Sequence, residues 1–225
     1  MTGISYESGK LEALKLAVGS WSELNFSSTL PDKNPKIWQM LRCSAGIAEE
    51  LGELVEQLDP STVHTVDLAE ARDAIADMCI FAMDLLYNAH FKMQDVLLKD
   101  TTPSKWEVEY LRERAEVDPL LMGLTYMVGS LNHHVLKECQ QIRNKENHFE
   151  GIAQCMCHIW RLCSRLCHHL KADINVLVEE VATKVLKRDW AKEPDDAHHV
   201  WNEDTNPDVF IDPRTAANLK GGVND

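Results

Sequence analysis

Five carboxylates in two short segments carry the strongest chemical signal in the chain. Glu49, Glu50 and Glu53 lie in Glu49-Glu50-Leu51-Gly52-Glu53, and Asp73 and Asp77 in Asp73-Ala74-Ile75-Ala76-Asp77. On a helix, spacings of three and four put Glu49 or Glu50 with Glu53 on one face and Asp73 with Asp77 on another. Like charges so placed repel, and neither segment holds a basic residue to neutralise them. Carboxylates crowded in this way call for a cation. Hard oxygen donors at this density suit Mg2+, with Mn2+ as a substitute, rather than zinc. A glutamate-rich helix can also be a plain solvated face. Here, however, Asp77 heads the apolar run Met78-Cys79-Ile80-Phe81-Ala82-Met83, and Glu50 and Glu53 interleave with Leu51 and Leu54. The acids therefore border a buried stripe in both segments.

The elements that must position them are helical. Pro35 can open a helix reading Ile37, Met40, Leu41, Ile47, Leu51, Leu54, Val55 and Leu58. Asp59-Pro60-Ser61 stops it, and Thr65 or Asp67 can cap a second helix running to about His90, with a stripe of Leu68, Ile75, Met78, Cys79, Ala82, Leu85 and Leu86. A short piece, Asp95 to Leu98, precedes the polar connector 99–104, the best internal boundary. Further helices are expected from Pro119 to about Arg143, Phe149 to Leu170 and Ile174 to Trp190, with no β-branched alternation to compete. The expected fold is all-α, built of helical hairpins.

A faint internal repeat accompanies this order. Residues 46–57 can be laid on 129–140, Asp73–Asp77 on Glu150–Gln154, and His90–Lys92 on His169–Lys171. Two such hairpins would pack as a pseudo-symmetric four-helix bundle. The expected division is 1–100 for the half with the acids, 101–192 for a second half without them, and 193–225 for an extended arm. That arm carries Pro194, Pro207, Pro213 and Gly221-Gly222, with eight acids against two bases.

Composition narrows the classes. In 225 residues, 36 Asp and Glu outweigh 23 Lys and Arg, for a net charge of −13. A chain this acidic has no general attraction for phosphate backbones or anionic membranes, which argues against a nucleic-acid polymer as partner. The longest stretch free of charged side chains, Pro119 to Leu136, contains Ser130, Asn132, His133 and His134, unlike a membrane span. The opening MTGISYESGK lacks the regions of a signal peptide. Seven cysteines, four of them in the 149–170 segment, fit a reducing compartment, so a cytoplasmic protein is expected. Cys155, Ile159, Leu162, Cys163, Leu166, Cys167 and Leu170 trace one helical stripe, as core packing rather than a zinc cluster would.

Gly46-Ile47-Ala48-Glu49-Glu50-Leu51-Gly52-Glu53-Leu54, followed by Asp73-Ala74-Ile75-Ala76-Asp77-Met78-Cys79-Ile80-Phe81, resembles the MazG-like family of all-α nucleoside triphosphate pyrophosphohydrolases, whose superfamily also holds the dimeric dUTPases and phosphoribosyl-ATP pyrophosphohydrolases. The family pattern is ExxE on one helix and ExxD on the next, binding Mg2+ that engages the substrate's phosphates. Glu50 and Glu53 match the first pair and Asp77 the last Asp. The position three before Asp77 is Ala74, so Asp73, one residue earlier and on the same face, would have to serve. Glu70-Ala71-Arg72-Asp73 is a literal ExxD without the apolar run that should follow it, and ranks second.

The resemblance covers about residues 35–98. It implies hydrolysis of a (d)NTP to the monophosphate and pyrophosphate, in control or cleansing of the nucleotide pool, with Glu50 or Glu53 activating the water. The second half, with Asn132, His133, Leu136 and Gln154 in the corresponding places, looks like a degenerate copy, as if a dimer interface had become intramolecular. A triphosphate also wants cationic clamps, for which Lys137, Arg143, Lys184, Lys187 and Arg188 are the candidates. Trp21, Asn25, Phe26, Trp38 and Asn88 are available to a base. Self-association through the bundle or the arm is expected. The competing readings are phosphoribosyl-ATP hydrolysis and a catalytically silent nucleotide-binding or structural bundle.

Overall fold

A computed structural model describes residues 2–26, 34–58, 67–97, 117–143 and 145–190. The described residues form seven helices and no strand: α1 Thr2–Phe26, α2 Pro35–Leu58, α3 Leu68–Asn88, α4 Met93–Leu97, α5 Val117–Gln140, α6 His148–His169 and α7 Ile174–Val185. The expected Asp59-Pro60-Ser61 stop, the Thr65 cap, the 99–104 connector and the 193–225 arm lie outside the described residues.

Helix starts follow local chemistry. Asn34 takes a left-handed φ of 58° and offers its carbonyl to the Ile37 amide at 3.0 Å, with Pro35 in the first helical position. Asp67 caps α3, accepting from the Ala69 amide at 2.8 Å and the Glu70 amide at 3.3 Å. Asn147 caps α6 and Asp173 caps α7 in the same manner.

Helix ends correct the sequence reading. α3 and α6 finish with one pattern. The cap residue (Ala89, Leu170) donates back to Leu85 or Leu166, the next residue (His90, Lys171) has a left-handed φ of 61° or 55°, and the amide after it reaches back to Leu86 or Cys167. In this pattern His90 and Lys171 hold the same place after their helices. α5 stops at Gln140 rather than Arg143, since Gln141 and Arg143 adopt left-handed φ values of 54° and 57°. α7 ends at Val185, short of Trp190, and Lys187 and Arg188 form a tighter turn whose amides reach the Lys184 and Val185 carbonyls.

α1 had no counterpart in the sequence reading. Its buried residues over 9–26 are Leu11, Lys15, Val18, Gly19, Ser22 and Asn25, so three of six are polar side chains and the apolar period is hidden. Lys15 is satisfied at depth by Glu12 at 2.7 Å and the Phe91 carbonyl.

The helices pair as hairpins: α2 packs most extensively on α3 and α5 on α6, with α2 against α5 joining the two pairs and α1 and α7 flanking α3. The α2–α3 approach is close at Gly46, where an added methyl would fall 2.6 Å from Phe81 Cζ. Met40, Ile47, Leu51, Leu54, Ile75, Met78, Leu85, Leu120, Leu124, Leu131 and Ile152 fill one core, which includes the whole Cys155–Leu170 stripe. Leu68, expected in the α3 stripe, is 47 % exposed in the first turn of its helix. No described helix is long and apolar enough to cross a membrane. The chain divides into two units, Met1–Arg188 and Asp189–Asp225, and the site lies within the first.

Candidate carboxylate site

Packing α2 on α3 turns two sequence motifs into one electrostatic site. On α2, Ile47, Leu51 and Leu54 point into the core, Glu50 is half-buried beside them, and Glu49 and Glu53 are exposed. On α3, Ala74 is 2 % exposed, Asp77 is half-buried and Asp73 is exposed one turn away. Position 74 therefore faces the core, where an ionised carboxylate would be costly, and Asp73 stands on the outer side of the same helix.

The acids sense one another across the hairpin. Burial pushes the Glu50 carboxyl up to about 8, with Asp77, Glu53, Glu49 and Asp73 adding to the rise. Burial likewise pushes Asp77 up to about 7, with Asp73 and Glu53 adding and Arg188 and Lys184 opposing. Glu53 is raised by its own burial, then by Glu49, Glu70, Asp73 and Glu56. All five acids singled out in the sequence thus act on a common region. Glu70 and Glu56 join its rim, so both acids of the second-ranked Glu70–Asp73 motif contribute.

The basic candidates separate. Lys184, near the end of α7, and Arg188, in the turn beyond it, both favour ionisation of Asp77. The Arg188 backbone is held by α1, since Trp21 Nε1 donates to its carbonyl at 2.8 Å. Lys187 is exposed in the same turn. Lys137 donates to Gln140 at 3.3 Å, and Arg143 lies 3.9 Å from Glu146, so the structure engages both at the end of α5 instead.

Residues proposed for a base also divide. Trp21 is committed to Arg188, Asn25 donates to the Trp21 carbonyl at 2.9 Å, and Trp38 is 45 % exposed. Phe26 lies under the Arg42 guanidinium at 4.2 Å, and Asn88 belongs to a cluster that the sequence reading missed. At its centre Asp84, 2 % exposed, accepts at Oδ2 from Ser22 Oγ at 2.6 Å, Arg42 Nη2 at 2.6 Å, Gln39 Nε2 at 3.1 Å and Cys43 Sγ at 3.2 Å. Asn88 Nδ2 donates to Oδ1 at 2.9 Å. The available signal was an acid inside an apolar run with an Arg on the facing helix.

No protein-family model, curated protein or solved structure matches this chain. Among the described residues, no three His, Cys, Asp or Glu side chains are grouped so as to hold a metal ion together. Glu49, Glu50, Glu53, Asp73 and Asp77 nonetheless suit a hard divalent cation by donor type, by negative charge and by the rise of Glu50 and Asp77, which a bound cation would reverse.

Proposed function

We propose that the protein is a MazG-like nucleoside triphosphate pyrophosphohydrolase, dependent on Mg2+ with Mn2+ as a substitute, converting a (d)NTP to the monophosphate and pyrophosphate. One observation carries the reading. Acids from both arms of a single hairpin raise one another's affinity for protons, and two cationic side chains, Lys184 and Arg188, adjoin the same site.

Glu49, Glu50, Glu53, Asp73 and Asp77 would hold the metal. When bound, it supplies neutralisation of the triphosphate and an acidified water. The chain's own residues do the rest. Half-buried Glu50, or Glu53 beside it, accepts the proton of the attacking water. Lys184 and Arg188 draw the phosphates toward Asp77, and Trp21 fixes the turn that carries Arg188. Lys187 extends this basic side, with Lys137 and Arg143 as more remote contributors.

The matched ends of α3 and α6 support a tandem origin, in which α5 and α6 are a second copy of the α2–α3 hairpin and the two form a pseudo-dimeric bundle. Self-association belongs to the same reading. A second reading, a catalytically silent bundle, is favoured by buried Ala74 at the family's acid position.

The test is incubation with each of the eight common NTPs and dNTPs plus Mg2+, following released pyrophosphate. Turnover of at least one nucleotide, abolished by Glu53→Gln or Asp77→Asn in folded protein, is expected. Absence of turnover for all eight, with thermal stability indifferent to Mg2+, overturns the enzyme and leaves the silent bundle.

A further inference from the structure

The α5–α6 hairpin gathers histidines where α2–α3 gathers acids. His134 Nδ1 and His148 Nδ1 lie 3.3 Å apart, with the rings tilted at 50°. His148 is 3 % exposed, and its Nε2 lies 3.2 Å from the Ile142 carbonyl. A carbonyl can only accept, so Nε2 carries the proton and Nδ1 presents a lone pair to His134. His134 reaches this position because it lies flat on Gly151, where an added methyl would fall 2.5 Å from its Cε1 and Nε2 atoms. A third imidazole, His133, stands edge-on to His134 with ring centroids 5.4 Å apart.

We propose that His134 and His148 form a two-imidazole site for a borderline divalent metal ion, specifically Zn2+, separate from the Mg2+ site on α2 and α3. Zn–N bonds of about 2.0–2.1 Å at a tetrahedral angle hold two nitrogens about 3.3 Å apart, the spacing already present here. On binding, the Nδ1 proton of His134 gives way to the ion and passes through solvent to its own Nε2, so both imidazoles stay neutral and ligate through Nδ1. The Ile142 carbonyl on His148 Nε2 is the outer-shell contact that fixes a ligating imidazole in the required tautomer. Water completes the coordination, since no third His, Cys, Asp or Glu among the described residues is placed with the pair. Nitrogen donors exclude Mg2+ from this position as firmly as carboxylates favour it at the other. Bound Zn2+ would tie α5 to the start of α6 and fasten the intervening turn, in which Gln141 and Arg143 have left-handed backbones.

The full-length, metal-free protein is titrated with Zn2+ in saturating Mg2+, so that the acidic site is occupied. Binding is followed by competition with a chromophoric chelator and by imidazole 15N resonances. Expected is one Zn2+ per chain, with the His134 and His148 Nδ1 signals displaced. Affinity should fall about tenfold or more in His134→Gln and in His148→Gln, and stay unchanged in His133→Gln. Should buried His148→Gln fail to fold, half-exposed His134→Gln carries the comparison. Unchanged Zn2+ affinity in His134→Gln, or imidazole signals indifferent to Zn2+, overturns the site and leaves a hydrogen-bonded pair only. Pyrophosphate release with Mg2+ alone is scored separately, so failure of either proposal is distinguishable from failure of the other.

Discussion

Asp77 and Asp84 stand seven residues apart on α3, two turns along nearly the same face, and the protein treats them in opposite ways. Asp84 is more deeply buried, and burial still leaves its carboxyl raised, but Ser22, Arg42, Cys43 and Gln39 each pull it down. Asp77 is half-buried, beside Asp73 and Glu53, with the distributed charge of Arg188 and Lys184 opposing them. One end of the hairpin satisfies its acid and so fastens α1, α2 and α3 together. The other end accumulates acids and leaves their charge unbalanced. A buried carboxylate with a complete set of donors reads as structure, whereas a group of carboxylates without one reads as a place prepared for a cation.

Glu50→Gln should break this contrast most sharply. Pyrophosphate release is expected to fall about a hundredfold or more, through loss of a metal ligand and candidate base. The thermal midpoint at pH about 8 should nevertheless rise by about 2–4 °C as mutual repulsion is relieved. Calorimetry on the variant that fails in activity checks both signs at once, and a lower midpoint would place Glu50 with the structural acids.

Asp84→Ala should act in the reverse sense. It leaves Arg42 and the surrounding donors without their shared acceptor, at a cost of about 3 kcal/mol in denaturant unfolding. A cost no larger than that of an exposed substitution would dissolve the distinction between the two ends.

A pH series separates the ends again. Folded-state values of about 8 for Glu50 and about 7 for Asp77 exceed those of the unfolded chain. The folded protein therefore binds more protons between pH about 4.5 and about 8, and stability from these groups is full below that window and lost as pH rises through it. In metal-free protein, wild type should lose midpoint faster than Glu50→Gln across this range, and saturating Mg2+ should flatten the difference. Parallel curves would show that the acids are solvated independently.

The smallest effect is expected at Lys184. Replacement by Ala should raise KM about three- to tenfold with kcat little altered, as for an exposed cation that attracts phosphate without touching the reacting atoms. An equal loss in Lys137→Ala would move the phosphate path toward α5.

Periodicity made most of the helices legible. Ile47, Leu51 and Leu54 on α2 and Ile75, Met78 and Leu85 on α3 announced both arms of the acidic hairpin, and the positions of Glu50 and Asp77 beside those stripes followed from the same spacing. That Asp73 and Asp77 would act on each other was readable, because four residues make about one turn. α1 was not legible, since Lys15, Ser22 and Asn25 occupy its inward face and their partners come from elsewhere in the chain. The Asp84 cluster was hidden for the same reason: it joins positions 22, 39, 42, 43 and 88, and nothing local to Asp84 marks the donors that satisfy it. The end of α5 was displaced where the backbone turned left-handed at Gln141 and Arg143, neither of which is glycine or asparagine.

The indole-to-carbonyl link between Trp21 and Arg188 spans 167 positions of sequence. During synthesis both acidic arms leave the ribosome about a hundred residues before Lys184 and Arg188 exist. The negative side of the site can thus assemble from contacts confined to residues 35–88, while its positive side waits for a long loop to close. A nascent chain halted before α7 would carry the mutually repelling acids without Lys184 and Arg188, so on the proposed function the order of translation would separate metal affinity from substrate affinity.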